Sequence, residues 1–212
     1  SMTFPLKSLV EAASKAPIVP VLVVDRIEMA APLARALVDG GLTIAEVTLR
    51  TPSGLAVIEE MKSAEPGLKV GAGTVLTESD VDNALSAGSD FLVSPGMSPK
   101  LLAGLGNRRR LMIPGVATAS EAMSRHEEGF DLLKLFPATI AGGVGALKAI
   151  AGPLPHLRFM PTGGITEADA GKYVALPNVV AVGGSWIATG ADIAAEDWKG
   201  ISAKARKALA AI

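Results

Sequence analysis

The stretch IAEVTLRTPSGLAVIEEMKSAEPGLKVGA, residues 44–72, indicates a strand, a helix and a second strand in close succession. Ile44–Leu49 has the length of a buried strand, Gly54–Ser63 has a helical period, and Lys69–Ala72 begins the next apolar run. Two neighbouring strands joined through a helix are parallel, because a crossover returns the chain to the same end of the sheet. This stretch therefore predicts a parallel α/β sheet.

The same alternation continues along the whole chain. The predicted strands are Val19–Val24, Ile44–Leu49, Lys69–Ala72, Phe91–Ser94, Leu111–Pro114, Leu132–Phe136, Arg158–Pro161 and Val179–Val182. The predicted helices are Leu6–Ala16, Met29–Val38, Gly54–Ser63, Ser79–Ala87, Pro99–Gly104, Ser120–Glu128, Gly143–Ala151, Ala168–Val174 and Trp198–Ala211. Eight strands favour a (β/α)8 TIM barrel with an extra N-terminal helix, and an open doubly wound sheet is the alternative. No Gly- or Ser-rich linker divides the sequence, so we expect residues 1–212 to form a single domain.

Composition excludes several classes of function. Lys and Arg number 20 against 21 Asp and Glu, and this balance argues against nucleic-acid or membrane-surface partners. The chain has no cysteine, which excludes disulfides, thiolate metal sites and cysteine nucleophiles. Its two histidines, His126 and His156, cannot supply a three-histidine zinc site, and we expect both at the surface. No targeting segment is recognised, and we expect a cytoplasmic protein.

Lys134 is unusual for its position in the predicted strand Leu132–Phe136. Strands of a covered parallel sheet are apolar throughout, and an ammonium there is costly to bury. Burial lowers the pKa of a lysine, and a lysine that is partly neutral near pH 7 can attack a carbonyl to form a Schiff base. The alternative is an edge-strand lysine that reaches solvent at the mouth of the barrel.

A second polar group lies on the strand Ile44–Leu49 and just beyond it. Glu46, Thr48 and Arg50 share one face by the strand period of two. Glu46 is a candidate proton shuttle, and the guanidinium of Arg50 suits a substrate carboxylate. A purely structural Glu–Arg pair is the alternative.

Glycine pairs follow the seventh and eighth predicted strands, in Pro161–Ile165 and Val182–Trp186. Loops at these positions of a parallel barrel commonly bind phosphate through backbone N–H groups. Ser185 adds a hydroxyl, and we favour a phosphate site over ordinary tight turns. Thr74 follows the third strand, where its hydroxyl is a candidate donor to a substrate oxygen. Met123 and Met160 are both predicted to fill the core.

Taken together, these motifs resemble one family. They are Glu46–Pro52, Gly71–Thr74, Ser94–Gly96, Ile113–Gly115, Lys134–Ala138, Pro161–Ile165 and Gly183–Trp186. In this order, from about Val19 to Trp186, they are similar to those of the 2-keto-3-deoxy-6-phosphogluconate (KDPG) aldolases, class I aldolases of the Entner–Doudoroff pathway. Some members of that family also cleave 4-hydroxy-2-oxoglutarate (KHG).

The resemblance implies a (β/α)8 aldolase domain, a homotrimer, and no metal or organic cofactor. By the same resemblance, Lys134 is the Schiff-base lysine and Glu46 the catalytic acid and base. The other implied site residues bind the substrate. Arg50, Thr74 and Pro95 hold the pyruvate end, Phe136 packs against the Schiff base, Thr162 contacts the C4 hydroxyl, and Gly163, Gly164, Gly184 and Ser185 hold the phosphate.

Thr139-Ile140-Ala141 departs from the family, which more often has polar residues such as Glu and Asn there, so the preferred substrate is open. Two other functions also remain open at this point. One is a phosphate-binding barrel isomerase or synthase in which Lys134 is a charge clamp. The other is a sugar-phosphate binding module without catalysis.

Overall fold

The structure is a computed structural model that describes residues 4–212. Helices and strands alternate along the chain. The helices are α1 (Phe4–Lys15), α2 (Ala30–Asp39), α3 (Gly54–Ala64), α4 (Glu78–Ser86), α5 (Pro99–Leu105), α6 (Ala119–Glu127), α7 (Gly143–Ala151), α8 (Glu167–Val174), α9 (Gly190–Ala194) and α10 (Trp198–Ala210). The strands are β1 (Ile18–Leu22), β2 (Ile44–Thr48), β3 (Lys69–Gly73), β4 (Phe91–Ser94), β5 (Met112–Val116), β6 (Lys134–Leu135) and β7 (Val182–Gly184). Short 3-10 helices cover Ile27–Met29 and Gly106–Leu111.

The seven strands form one parallel sheet, as the alternation predicts. Their order is β6-β5-β4-β3-β2-β1-β7, and every neighbouring pair is parallel. In the register, Glu46 of β2 lies beside Gly71, and Lys134 of β6 lies beside Gly115. The carboxyl ends of all seven strands therefore meet at one edge of the sheet, where Glu46 and Lys134 lie.

Arg158–Pro161, predicted as a strand, forms only isolated bridges. Phe159 bridges to Leu133 on one side and to Val179 on the other, and Thr162 bridges to Gly183. Met160 N donates to Leu133 O at 2.8 Å and Thr162 N to Leu135 O at 3.0 Å, so the segment is hydrogen-bonded on the β6 side although it forms no regular ladder. These bridges connect the two edge strands of the sheet, so the sheet is curled.

Two apolar layers lie on the two faces of this sheet. The outer layer packs α2 to α10 against strand residues such as Ala45 and Val47. The inner layer contains Val19, Ile44 and Phe91 from the first halves of strands, together with Leu6 and Leu9 of α1. Helix α1 therefore covers the end of the sheet where the strands begin, opposite the edge that carries Glu46 and Lys134.

Of the two methionines predicted to lie in the core, one is buried and the other is exposed. Met160 is 2% exposed, as predicted, whereas Met123 is 48% exposed and the core prediction for it is wrong. Met123 lies on α6, whose buried side chain is Ala122 one position earlier, so the methionine points away from the sheet.

None of the helices within residues 4–212 combines the length and the apolar composition that a membrane span requires.

Candidate active site

A cavity of about 640 Å³ opens at the carboxyl ends of the strands. All eleven residues predicted from the sequence lie in its lining: Glu46, Arg50, Thr74, Pro95, Lys134, Phe136, Thr162, Gly163, Gly164, Gly184 and Ser185. They come from strands and loops spread over 140 positions of the chain, since the first is 46 and the last is 185. The parallel sheet brings them together because its loops share one edge.

Glu46 lies in the interior of the curled sheet. Its neighbours Ala45 and Val47 pack in the outer layer, so the strand alternation directs the Glu46 side chain inward. It is 1% exposed, and within residues 4–212 its Oε1 has no hydrogen-bond partner. Its carboxylate lies against Gly73 of β3, where a Cβ would collide with it. Glu46 is thus a buried acid with an oxygen free for a substrate or a water.

Lys134 is directed inward from the opposite part of the sheet. Leu133 and Leu135 belong to the outer layer, and Lys134 between them is 6% exposed. Its Nζ lies 4.4 Å from the ring centroid of Phe136, which follows on the same face. An aromatic face stabilises the ammonium and also provides an apolar wall.

The two buried groups influence each other's protonation. Burial raises the pKa of Glu46, while the positive charges of Lys134 and Arg50 act in the opposite direction. Burial lowers the pKa of Lys134, against the negative charge of Glu46 and together with the positive charge of Arg50. Lys134 is therefore more readily available as a free amine, a nucleophile, than an exposed lysine, and Glu46 takes up and returns a proton more readily than an exposed glutamate.

The end of the cavity near Arg50 is formed by β2 and β3. Arg50 follows β2 in an exposed turn. Thr74 follows β3 with a φ of 57°, a left-handed conformation that costs a threonine about 1–3 kcal/mol. Such strain is common at ligand sites, and here it sets the direction of the Thr74 side chain. Pro95 follows the next strand, β4, and its carbonyl oxygen occupies the space that a Cβ of Gly115 on β5 would take.

The other end of the cavity presents backbone amides. Gly163 and Gly164 have left-handed φ values of 108° and 76°. In the part of the chain that the structure describes, the N–H groups of Gly163, Gly164 and Ser185 donate to no protein acceptor. The Gly183 N–H donates to Pro161 O at 2.9 Å, so the next amide, of Gly184, is directed to the opposite side of β7, toward β1.

Seven other residues line the cavity without having been predicted as site residues: Val21, Thr48, Ile165, Thr166, Glu167, Gly183 and Trp186. The sequence does indicate Thr48 as a site residue, since it shares the strand face of Glu46 and Arg50. It does not single out Glu167, because acidic residues are common in the first turn of any helix. Trp186 gives no signal, although its Nε1 is buried without a partner among residues 4–212.

The predicted surface histidines lie elsewhere. His126 and His156 are exposed, with ring centroids 4.7 Å apart, and neither lines the cavity. Over residues 4–212, no group of three or more His, Asp or Glu side chains is arranged to hold a metal ion.

Comparison with known proteins identifies the family. The family model for KDPG and KHG aldolase matches residues 9–204. The 2-dehydro-3-deoxy-phosphogluconate aldolase of Pseudomonas aeruginosa is 43% identical over 195 residues, which cover 92% of this chain and 89% of that protein. A KDPG aldolase from Legionella pneumophila, solved with pyruvate captured as a covalent carbinolamine intermediate, has a TM-score of 0.90 and 40% identity, covering 98% of both chains.

A KDPG aldolase from Zymomonas mobilis, solved with 3-phosphoglycerate, has a TM-score of 0.87 and 43% identity and covers 99% of this chain and 97% of that one. The matches to the family model, to the curated relative and to both structures span nearly the whole chain. The chain therefore belongs to the KDPG and KHG aldolase family.

Proposed function

We propose that the protein is a class I aldolase that cleaves 2-dehydro-3-deoxy-6-phosphogluconate (KDPG) to pyruvate and glyceraldehyde 3-phosphate. The observation that carries the proposal is the burial of Lys134 and Glu46 in one cavity, where burial lowers the pKa of the lysine and raises the pKa of the acid. The names of the relatives and the covalent pyruvate of the Legionella protein support the same reaction.

The reaction begins with attack of the neutral Lys134 amine on the C2 carbonyl of the substrate. The carbinolamine takes up a proton from solvent and loses water, which gives a protonated imine that acts as the electron sink for the next step. The Glu46 carboxylate accepts the proton of the C4 hydroxyl as the C3–C4 bond breaks, and the aldehyde leaves. The bonding pair becomes the enamine of pyruvate. Glu46 returns a proton to C3, and water then releases pyruvate from Lys134.

The remaining lining residues bind the two ends of the substrate. Arg50 holds the carboxylate with a forked pair of donors, and Thr74 and Pro95 complete that end. Phe136 packs against the imine, and Thr162 contacts the region of the C4 hydroxyl. The anion at the other end is bound by the N–H groups of Gly163, Gly164 and Ser185 and by the Ser185 hydroxyl. Gly184 makes room for the Trp186 ring beside this end, because a Cβ at Gly184 would collide with that ring.

We also propose cleavage of 4-hydroxy-2-oxoglutarate to pyruvate and glyoxylate. The matching family model includes KHG aldolases, and this substrate needs the same lysine, acid and carboxylate site. This substrate has no phosphate, so it makes no phosphate contact with the amides of Gly163 and Gly164.

Reductive trapping separates an aldolase from the alternatives. Borohydride added with pyruvate reduces an imine to a stable secondary amine, and mass spectrometry locates the adduct. We expect the adduct on Lys134 in the unmodified protein and none in Lys134→Met. An isomerase, a synthase or a non-catalytic binding module forms no such adduct, so an unlabelled protein overturns the proposal.

Further features of the fold, the location and the assembly belong to the same proposal. The segment 158–162 serves as an eighth strand between β6 and β7. This strand closes a (β/α)8 barrel, and residues 1–212 form one domain.

The protein works in the Entner–Doudoroff pathway, in the cytoplasm. It assembles as a homotrimer, and large exposed apolar side chains such as Ile140, 84% exposed, and Leu76, 53% exposed, support an association. Light scattering after gel filtration tests the trimer by its mass.

A further inference from the structure

The segment after β6 is hydrogen-bonded to the loop that carries Gly163 and Gly164. Ala138 N donates to Thr162 O at 2.8 Å, and Thr139 N donates to Gly163 O at 3.2 Å. The hydroxyl of Thr139 donates to the same Gly163 oxygen at 3.3 Å. Three donors from two adjacent residues therefore hold two successive carbonyl groups of the glycine loop.

Holding these carbonyls also fixes the amides that follow them. A peptide unit is planar and trans, so its C=O and N–H point in opposite directions. The Gly163 carbonyl points at Thr139, and the Gly164 N–H of the same peptide unit points away from Thr139. The Gly163 N–H is fixed in the same way through the Thr162 carbonyl. Both glycines line the cavity and Thr139 does not, so the free amides are directed toward the cavity.

The Thr139 side chain also limits how the loop can rearrange. A Cβ on Gly164 would collide with Thr139 Oγ1, which places the hydroxyl against the Gly164 backbone. Both glycines have the left-handed φ values that glycine adopts as readily as its ordinary ones. A loop of two such glycines has alternative conformations of similar energy, and an outside contact is needed to select one.

We propose that Thr139 is a positioning residue that presets the Gly163 and Gly164 amides to bind a phosphate monoester, and so favours phosphorylated over unphosphorylated substrates. This inference rests on the proposed aldolase function for its substrates. Thr139 touches no substrate, and it acts through the orientation of the Gly163–Gly164 peptide unit. The effect is preorganisation, because the amides need no reordering when the anion arrives.

Two variants of the same residue isolate the hydroxyl. Thr139→Val keeps the β-branched shape and the backbone N–H bond and loses the O–H donor. Thr139→Ser keeps the donor and loses a methyl group. Thr139 is exposed, so we expect both variants to fold with unchanged melting temperatures.

The kinetic test compares the phosphorylated substrate with 4-hydroxy-2-oxoglutarate. For Thr139→Val we expect kcat/KM on the phosphorylated substrate to fall about three- to tenfold, mainly through KM, the size expected for one neutral hydrogen bond. We expect kcat/KM on 4-hydroxy-2-oxoglutarate to be unchanged, and Thr139→Ser to match the unmodified protein on both. Equal losses on the two substrates, or no loss on either, overturn the proposal.

A binding measurement tests the same idea without turnover. Inorganic phosphate titrated into ¹⁵N-labelled protein is expected to shift the Gly163 and Gly164 amide resonances, with a dissociation constant about three- to tenfold weaker in Thr139→Val. Resonances that respond identically in both proteins contradict the positioning role. Pyruvate trapping on Lys134 reports separately on the aldolase proposal: it is expected to be equal in the two proteins, and its absence from both refutes the reaction without affecting the phosphate result.

Discussion

Gly73 of β3 lies directly against the carboxylate of Glu46 on β2, with no space for a side chain between them. The two strands are neighbours, and the register places Gly73 beside Thr48, two residues beyond Glu46. The Glu46 carboxylate can therefore keep its position in the cavity only if residue 73 is a glycine.

Gly73→Ala is expected to displace the Glu46 carboxylate and to lower kcat about 10- to 100-fold, a part of what a general acid–base group contributes. Pyruvate trapping on Lys134 is expected to continue, because imine formation precedes the step that Glu46 serves. Gly67→Ala is the matched control, since nothing lies within 4 Å of a Cβ at that position. A Gly73→Ala protein with the kcat of this control contradicts the positional requirement.

Lys134→Met is expected to abolish turnover, with a loss of about 10⁴-fold or more, because it removes the nucleophile. The fold is expected to remain, since methionine is an apolar chain of similar length at a position that is 6% exposed. Steady-state kinetics and thermal unfolding measure the two effects. Near-normal turnover in a folded Lys134→Met protein shows that the Schiff-base assignment is wrong.

Glu46→Gln is expected to move the titration of Lys134 to lower pH. Burial lowers the pKa of Lys134, and the Glu46 carboxylate opposes this shift by stabilising the ammonium. Its removal leaves burial and the Arg50 charge, which both favour the neutral amine, so the pKa falls further. The rate of reductive methylation of Lys134 by formaldehyde and cyanoborohydride, followed by mass spectrometry against pH, measures the midpoint. Arg50→Leu is expected to shift it to higher pH, and a shift of the wrong sign in either variant contradicts the assigned charges.

Ser185→Ala is expected to lower kcat/KM selectively for phosphorylated substrates. The loss of one charge-assisted hydrogen bond corresponds to about a ten- to hundredfold decrease in kcat/KM. Cleavage of 4-hydroxy-2-oxoglutarate is expected to change little, and kcat/KM for both substrates is the measurement. Equal losses on the two substrates indicate that Ser185 supports the mouth of the cavity and that the phosphate binds elsewhere.

Treatment with EDTA is expected to leave the activity unchanged. The proposed electron sink is the imine on Lys134, and within residues 4–212 no cluster of three His, Asp or Glu side chains is arranged as a metal site. A metal-dependent aldolase uses a divalent ion for the same purpose. Activity lost to the chelator and restored by a metal refutes the imine route.

Local patterns predict much of this fold. Strand Phe91–Ser94 and helix Gly143–Ala151 have the bounds expected from the sequence, because apolar runs and helical periods are themselves the cause of these elements. Helix Gly190–Ala194 was not predicted, since five residues are too few to show a period. The predicted strand Arg158–Pro161 forms only isolated bridges, because a regular ladder depends on how the segments on its two sides align, which a local apolar pattern does not specify.

The candidate site, too, could be predicted from the sequence only in part. Lys134 and Glu46 stand out in sequence because a charge in an apolar strand is costly, whatever surrounds it. The contact of Gly73 with Glu46 and the hydroxyl of Thr139 on Gly163 O depend on how strands and loops meet in three dimensions. Such contacts have no local signature, so no reading of one segment reveals them.

Leu6 and Leu9 of helix α1 cover one end of the interior of the sheet, and the cavity opens at the other end. In the proposed reaction both products must leave through that opening, and pyruvate is still bonded to Lys134 when the aldehyde forms. The aldehyde, on the side of the exposed Gly164 and Ser185, has to depart first. The architecture thereby imposes an order of release: the phosphorylated fragment goes out, water comes in by the same route, and pyruvate follows.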